Sequence, residues 1–329
     1  MARYLSSRSS LRRFRRSIFV VSVLVIIAAS YYAYRVSYHD RPPGTQRAAE
    51  TVAPVPEAGP EPTLSEIIPT PTSQPNPEVD ELIAGAMACI NAEPARIIEA
   101  RDRLNELLPM PMSAEQRQLV KEQLSQLADR WLFSRTIFPQ DKLCGSLQVR
   151  PGSLLSTIGK QFRVPYKILM EINNIPYAES LQAGQTIKVI DGPFHARIYH
   201  STFTMDLYLQ NTFVRSFPVG LGQPDMETPM GLWRVKPGGK LITPTWRDPI
   251  SGKTYQPGDP DYPLGSRWIG LEGIKGDAVG RTGFAIHGTK DPNQIGTASS
   301  QGCIRLHNGD AILIYNLLIP GLSRVETVE

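Results

Sequence analysis

The chain has 329 residues, 41% of them apolar and 20% charged, with 35 basic against 31 acidic side chains for a net charge of +4. That length suits two or three domains with at least one sizeable core, and the composition excludes a chain disordered throughout. The positive excess sits in residues 1–40, which hold seven arginines and one aspartate. No extended basic face is left to follow a phosphate backbone, so no nucleic-acid partner is expected.

At the N-terminus Arg3, Arg8, Arg12, Arg13, Arg15 and Arg16 precede an apolar run, and no residue from Ser17 to Tyr34 is charged. Those 18 residues approach the ~20 that cross a hydrocarbon core as a helix. One reading is a transmembrane anchor with its N-terminus in the cytoplasm and Tyr31, Tyr32 and Tyr34 at the outer interface. The other is a cleaved signal peptide, with Ala28-Ala29-Ser30 near the cut. A buried soluble helix suits the arginine-rich flank poorly. The anchor fixes the chain to an inner membrane with the rest in the periplasm or cell wall, whereas cleavage releases it as a secreted protein. The cysteines are Cys89, Cys144 and Cys303, an odd number for an oxidising compartment. Both a Cys89–Cys144 disulfide and free buried thiols remain open.

Residues 41–77 carry ten of the 29 prolines and read as a disordered, semi-extended tether. Residues 78–140 have helical spacing: Leu82, Ile83, Ala86, Met87 and Ile90, then Ile97, Ile98, Leu104, Leu107 and Leu108 up to the break at Pro109 and Pro111. Ser113 with Gln116 forms a capping box ahead of a helix striped by Leu119, Leu124, Leu127, Trp131 and Leu132. This segment carries no chemical constellation and reads as a spacer, or as a surface for an unidentified protein partner at 79–134.

Residues 146–191 have the order β-α-α-β. Leu147 and Val149 make a strand and Pro151-Gly152 a turn. Leu154, Leu155, Ile158 and Phe162 stripe one helix, and Tyr166, Ile168, Leu169 and Ile172 a second that ends at Asn173-Asn174. Gly184-Gln185 and Ile187 lead into the closing strand. With Gly152-Ser153-Leu154, Val164 and the Asn-Asn pair, the segment resembles a lysin motif (LysM), although Ser153 stands where that family usually has Asp or Glu. The resemblance implies binding to N-acetylglucosamine-containing glycan such as peptidoglycan.

Residues 194–329 are rich in strand signals. Arg197-Ile198-Tyr199 and Met205-Asp206-Leu207-Tyr208-Leu209 alternate around a Gln210-Asn211 turn, and Phe213, Phe217 and Val219 follow. Loops rich in Pro and Gly are expected at 220–231 and 236–266, and a helix from about Asn308 to Leu318. No dinucleotide or P-loop spacing appears, and no zinc-type ligand spacing, so neither cofactor nor metal is expected.

The dense polar cluster is His287-Gly288-Thr289 followed by Ser300-Gln301-Gly302-Cys303-Ile304-Arg305. A thiol is a good nucleophile once ionised, and an imidazole brought beside it by the fold takes its proton. Gly302 permits close backbone approach, so that the amides of Gly302 and Cys303 can face an oxyanion. Arg305 offers a fixed cation to a substrate carboxylate. Taken together, and with Phe217-Pro218-Val219-Gly220, Thr228-Pro229-Met230-Gly231 and Tyr262-Pro263-Leu264-Gly265, these residues resemble the catalytic domain of bacterial L,D-transpeptidases. The family often has His where this chain has Gln301, which leaves His287 as the base. The resemblance implies a mainly-β, sandwich-like domain. It implies Cys303 as nucleophile, Gly302 and Cys303 at the oxyanion, and Arg305, Ser300, Gly288 and Thr289 around the substrate. The reaction it implies passes through a thioester on a peptidoglycan tetrapeptide stem. The thioester is then resolved by a stem amine as a 3→3 cross-link, by water as an L,D-carboxypeptidase, or by another amine.

The remaining polar residues have plainer expectations. His195, His200 and His307 carry no motif, and Asn308 or Asp310 is expected to cap the last helix. Trp246, Tyr255, Tyr262 and Trp268 line a groove or pack in the core. A sortase has a longer gap between its Cys and Arg than Cys303 and Arg305 have. An inactive shell that only anchors to glycan does not need His287, Cys303 and Arg305 intact.

Overall fold

A computed structural model describes residues 72–329; the predicted membrane span or signal peptide and nearly all of the tether lie outside the described residues. Among the described residues no helix is long and apolar enough to cross a membrane.

Three helices come first: α1 (Pro77–Ile90), α2 (Ile97–Leu107) and α3 (Ala114–Trp131). Asn76 caps α1 by accepting from the Glu78 amide at 3.1 Å, with Pro77 preset for the first turn. The capping box of α3 forms as its sequence predicts: Ser113 Oγ accepts from the Gln116 amide and Gln116 Oε1 from the Ser113 amide. The Gln116 amide group also donates to Asn76 O and Asp80 Oδ1, joining α3 to α1. The buried stripe of α3 runs through Val120, Leu124, Leu127 and Trp131, whereas Leu119 is exposed.

The next unit is β1 (Cys144–Gln148), α4 (Leu155–Gln161), α5 (Tyr166–Ile172) and β2 (Thr186–Ile190), with β1 and β2 antiparallel. Leu155, Ile158, Ile168, Leu169 and Ile172 fill its core, while Leu154 is exposed. Buried Asn173 locks the second helix to β2, its side chain accepting from the Lys188 amide and donating to the Lys188 and Leu169 carbonyls. Cys89 and Cys144 are buried free thiols, so no disulfide joins them. Cys89 faces the helical core, and the Cys144 thiol sits beside Asp141 and is pushed up to about 12 by burial.

The remaining elements are β3 (Phe194–Tyr199), β4 (Thr204–Leu209), β5 (Thr212–Pro218), β6 (Leu221–Gly222), β7 (Gly231–Leu241), β8 (Trp246–Arg247), β9 (Thr254–Tyr255), β10 (Trp268–Gly276), β11 (Ala285–His287), β12 (Ala298–Ser300), β13 (Ile304–Arg305), α6 (Asn308–Leu317) and β14 (Arg324–Val328). In place of the expected sandwich, one eight-stranded sheet forms in the order β13-β11-β10-β7-β14-β3-β4-β5. It curls, because Gly220, at the end of β5, bridges to Arg305 in the far edge strand β13. The predicted loop at 236–266 is shorter than expected: β7 runs on through Pro237-Gly238-Gly239 to Leu241, with a bulge against β10 absorbing the irregular residues.

One face of β3 and β4 carries Phe194, Ala196, Ile198, Met205, Leu207 and Leu209 into the core. The other face carries His195, Arg197, Asp206 and Tyr208, and is buried as well. The helices account for this. Lys121 of α3 reaches Asp206 at 2.6 Å, Asp129 pairs with Arg215 of β5, and Asn105 Oδ1 accepts from the Phe213 amide at 2.8 Å. An edge strand that would otherwise offer free amides is thereby covered. Lys188 of β2 is buried and donates to the carbonyls of Trp131, Ser134 and Thr136 beyond the end of α3, where a cation suits the helix dipole. The stretch expected to be a spacer is packed against both neighbours.

Candidate active site

β11 and β13 lie side by side and parallel, with Ile286 opposite Ile304 and His287 opposite Arg305. Ile286 and Ile304 point into the core and are fully buried. Alternation puts Ala285 and His287 on the opposite face, together with Arg305 and, one step outside the paired residues, Cys303. Strand spacing and rise put the Cα atoms of Cys303 and His287 on a diagonal of about 8 Å. The pairing of β11 with β13 therefore brings two residues far apart in sequence onto neighbouring segments.

Three contacts hold the Cys303 loop. Ser300 Oγ donates to Cys303 O at 2.6 Å and accepts from the Gly302 amide at 3.1 Å. Thr228, buried, donates to Gly302 O at 2.9 Å and accepts from the Gly222 amide. Gly302 has φ +101°, and a Cβ there would stand 2.7 Å from the Phe284 ring. Gly302→Ala is expected to cost of order 1–3 kcal/mol in backbone strain and to lower turnover by about 100-fold through displacement of the sulfur. A turnover assay beside a thermal melt checks both numbers.

The Cys303 residue is partly exposed, yet its sulfur is crowded by the Gly283 carbonyl and the Ala285 amide. Burial pushes the thiol up to about 11, against the pull of the Ala285 amide and Arg305. His287 is 4% exposed, and burial pushes it down to about 4, with Arg305 acting the same way and the Gly288 and Leu264 carbonyls opposing. The resting pair is therefore neutral thiol and neutral imidazole, and the thiolate–imidazolium pair expected from sequence is disfavoured without substrate. His287 Nδ1 lies 2.5 Å from Gly288 O. A carbonyl only accepts, which assigns the proton to Nδ1 and the lone pair to Nε2. Trp268, opposite His287 on β10, stacks on the imidazole at 5.6 Å and 14°.

The other predicted residues take these places. Arg305 donates to Ser299 O at 3.2 Å, and its buried Nε has no hydrogen-bond partner. The Thr289 hydroxyl bonds Gln294 Oε1 at 3.0 Å and accepts from the Asp291 amide, inside its own loop. The Gly302 amide is occupied by Ser300, which leaves Cys303 N–H as the other of the two amides expected at the oxyanion. Gln301 is exposed and its side chain reaches Asp248, just after β8. Trp246 and Tyr255 stack on each other across the β8–β9 hairpin, and Tyr262 Oη donates to Pro244 O. His195 is buried away from the pair, where its Nδ1 accepts from the Arg324 amide. Among the described residues no cluster of His, Cys, Asp or Glu could hold a metal ion.

Two residues were missed as site elements. Thr228 was visible only as part of a turn. Asn308 was expected to cap α6, but the helix has no side-chain cap, and His307 stands at the capping position. The Asn308 side chain instead bonds the Ser266 amide and the Thr289 carbonyl.

A curled mainly-β sheet behind a βααβ unit agrees with what the comparisons with known proteins identify. The YkuD model, an L,D-transpeptidase catalytic domain, matches residues 194–327, and the LysM domain model matches residues 147–189. YkuD of Bacillus subtilis, named as an L,D-transpeptidase, is 30% identical over 54% of this chain and 95% of its own length. Its namesake in Bacillus licheniformis is 29% identical with the same coverage. An L,D-transpeptidase structure from Mycobacterium smegmatis aligns at 16% identity and a TM-score of 0.32, over 44% of this chain and 64% of that one, a little under two thirds of it. The chain belongs to the L,D-transpeptidase family and is a transferase enzyme with a LysM domain. At the level of the family its work is peptidoglycan cross-linking, which belongs to the cell wall or periplasm.

Proposed function

We propose that the protein cross-links peptidoglycan through a thioester on Cys303, with His287 as base, taking tetrapeptide stems as acyl donors. The observation that supports this reading is the parallel pairing of β11, which ends on His287, with β13, which Cys303 directly precedes, together with the imidazole proton held on Nδ1. Nε2 takes the thiol proton as the sulfur attacks the carbonyl of the stem's third residue, a diamino acid. The oxyanion is met by the Cys303 amide. His287 returns the proton to the departing D-Ala amine, leaving a thioester. A side-chain amine of a second stem then attacks and gives up a proton to His287. The thiol leaves, is reprotonated, and a 3→3 cross-link remains.

Arg305 suits a stem carboxylate, which the unpartnered Nε supports. Ser300, Thr289 and Gly288 act as positioning residues for the two loops. In this reading the LysM unit holds glycan and raises the local concentration of stems, and residues 1–40 anchor the chain to the membrane. The same reading assigns 146–191 to glycan and 194–329 to catalysis. The helical segment 78–140 serves as a brace.

The test is to incubate the full chain with disaccharide-tetrapeptide and weigh the products. Wild type is expected to give the cross-linked dimer and free D-Ala, and Cys303→Ala neither. A tripeptide product without dimer identifies water as acceptor and a carboxypeptidase. Identical products from wild type and Cys303→Ala refute the assignment of the nucleophile.

A further inference from the structure

The sequence marks Asn308 as a helix cap, yet its side chain is spent elsewhere. Its Oδ1 accepts from the Ser266 amide at 2.9 Å, its Nδ2 donates to the Thr289 carbonyl at 2.8 Å, and its own carbonyl accepts from Ser266 Oγ at 3.1 Å. The two turns it joins flank the imidazole. Gly288, beside Thr289, supplies the carbonyl at 2.5 Å from His287 Nδ1. Leu264, two residues before Ser266, brings a backbone carbonyl near the ring, which helps hold its proton.

The three segments approach so closely that neither turn tolerates a side chain. A Cβ on Gly265 would lie 2.2 Å from Asn308 Oδ1 and 2.5 Å from the Thr289 amide nitrogen, and one on Gly288 would lie 2.2 Å from the same Oδ1. Gly265 also has φ +63°, a left-handed backbone that favours glycine. The knot is thus a built junction of one amide side chain and two glycines.

We propose that Asn308 is a positioning residue for His287: its carboxamide clamps the Gly265–Ser266 turn to the Gly288–Thr289 turn and so fixes the Gly288 carbonyl that orients the imidazole. The inference rests on the reading of His287 as the base and adds the group that holds that base in one tautomer. An imidazole free to turn would share its proton between Nδ1 and Nε2, and the Nε2–H form cannot accept the thiol proton. The charged neighbour of the ring is Arg305, opposite it on β13. Trp268 from β10 contributes only its ring face.

The helix gives an independent control. Asn308 is the first residue of α6 and makes no cap hydrogen bond within it, so alanine there does not remove a helix stop. In the full chain, Asn308→Ala is expected to lower kcat for D-Ala release by about 10- to 100-fold with KM little changed. The 15N spectrum of His287 is expected to change from the single Nδ1–H tautomer to a mixture. Asn308→Asp keeps the acceptor for the Ser266 amide but loses the donor to the Thr289 carbonyl, and is expected to fold and show the same tautomer mixing.

Turnover near wild type in both variants overturns the proposal, and so does lost turnover with an unchanged tautomer. His287→Ala measured alongside separates the two readings. If it keeps full turnover, the base assignment falls and this inference with it. If it is inactive while Asn308→Ala is normal, only the clamp is refuted.

Discussion

Alkylation of Cys303 by iodoacetamide is expected to speed up about tenfold with each pH unit from 7 to 10, with no plateau near neutrality. The thiolate is the reacting species, and burial holds the thiol at about 11 against an ordinary 9.0. At any pH below 9 the folded protein therefore carries about 100-fold less thiolate at Cys303 than the unfolded chain does. Peptide masses separate this site from Cys144, which is buried and pushed up to about 12. A plateau below pH 8 would indicate a preformed thiolate–imidazolium pair and overturn the neutral resting state.

The same electrostatics set the acid side. His287 is held down to about 4 by burial, so it stays neutral well below the 6.5 of an ordinary imidazole. Its stabilising contribution is complete above pH 6.5 and is lost as pH falls through 4, because the fold favours the neutral form. His195, buried and likewise lowered to about 4, adds to the same acid instability. In the proposed mechanism, activation therefore belongs to the encounter with substrate, the proton leaving sulfur as the carbonyl arrives to accept the charge.

The features that could be read from the chain are those in which letters and contacts coincide. The βααβ unit follows from apolar spacing alone, the α3 cap from Ser113 and Gln116, and α6 from its apolar run. Cys303 and His287 were legible as a pair through the surrounding motif, because their separation in sequence says nothing about adjacency until β11 and β13 are laid side by side. The misses have physical causes. Pro237-Gly238-Gly239 has the composition of a turn, but a bulge carries it within β7. Asn before a helix is the usual mark of a cap, and only the approach of two distant glycines redirects Asn308. No local pattern marks Arg117 and Lys188 for burial, and both are buried because the opposing surface supplies carbonyls. The sheet curls into one closed surface through the Gly220–Arg305 bridge, which no local pattern announces.

Removing the carboxylate at Asp206 is expected to cost about 3–5 kcal/mol, as loss of one partner from a buried ion pair does. Asp206 is fully buried, lies 2.6 Å from Lys121 Nζ, and accepts from Ser216 Oγ and, at 3.4 Å, from Tyr208 Oη. Asp206→Ala strands an ammonium between the rings of Tyr199 and Phe213, at 5.1 and 5.8 Å, where cation–π attraction replaces only part of the lost pair. For a chain of this size the melting temperature should fall on the order of 10 °C. Pairing it with Lys121→Met should restore part of the loss, since the stranded charge goes with its partner. A fall of less than about 2 °C would refute the pair as a mainstay of the fold. The consequence reaches beyond stability. Lys121 lies midway along the helix whose far end is held by Lys188 of the LysM domain, so one element fastens the glycan module to the catalytic sheet. Once that helix is released from the sheet in Asp206→Ala, turnover of polymeric peptidoglycan should fall further than turnover of the small disaccharide-tetrapeptide. On the proposed function, only the polymer depends on a fixed distance between the glycan held by the LysM domain and the stem that Cys303 attacks.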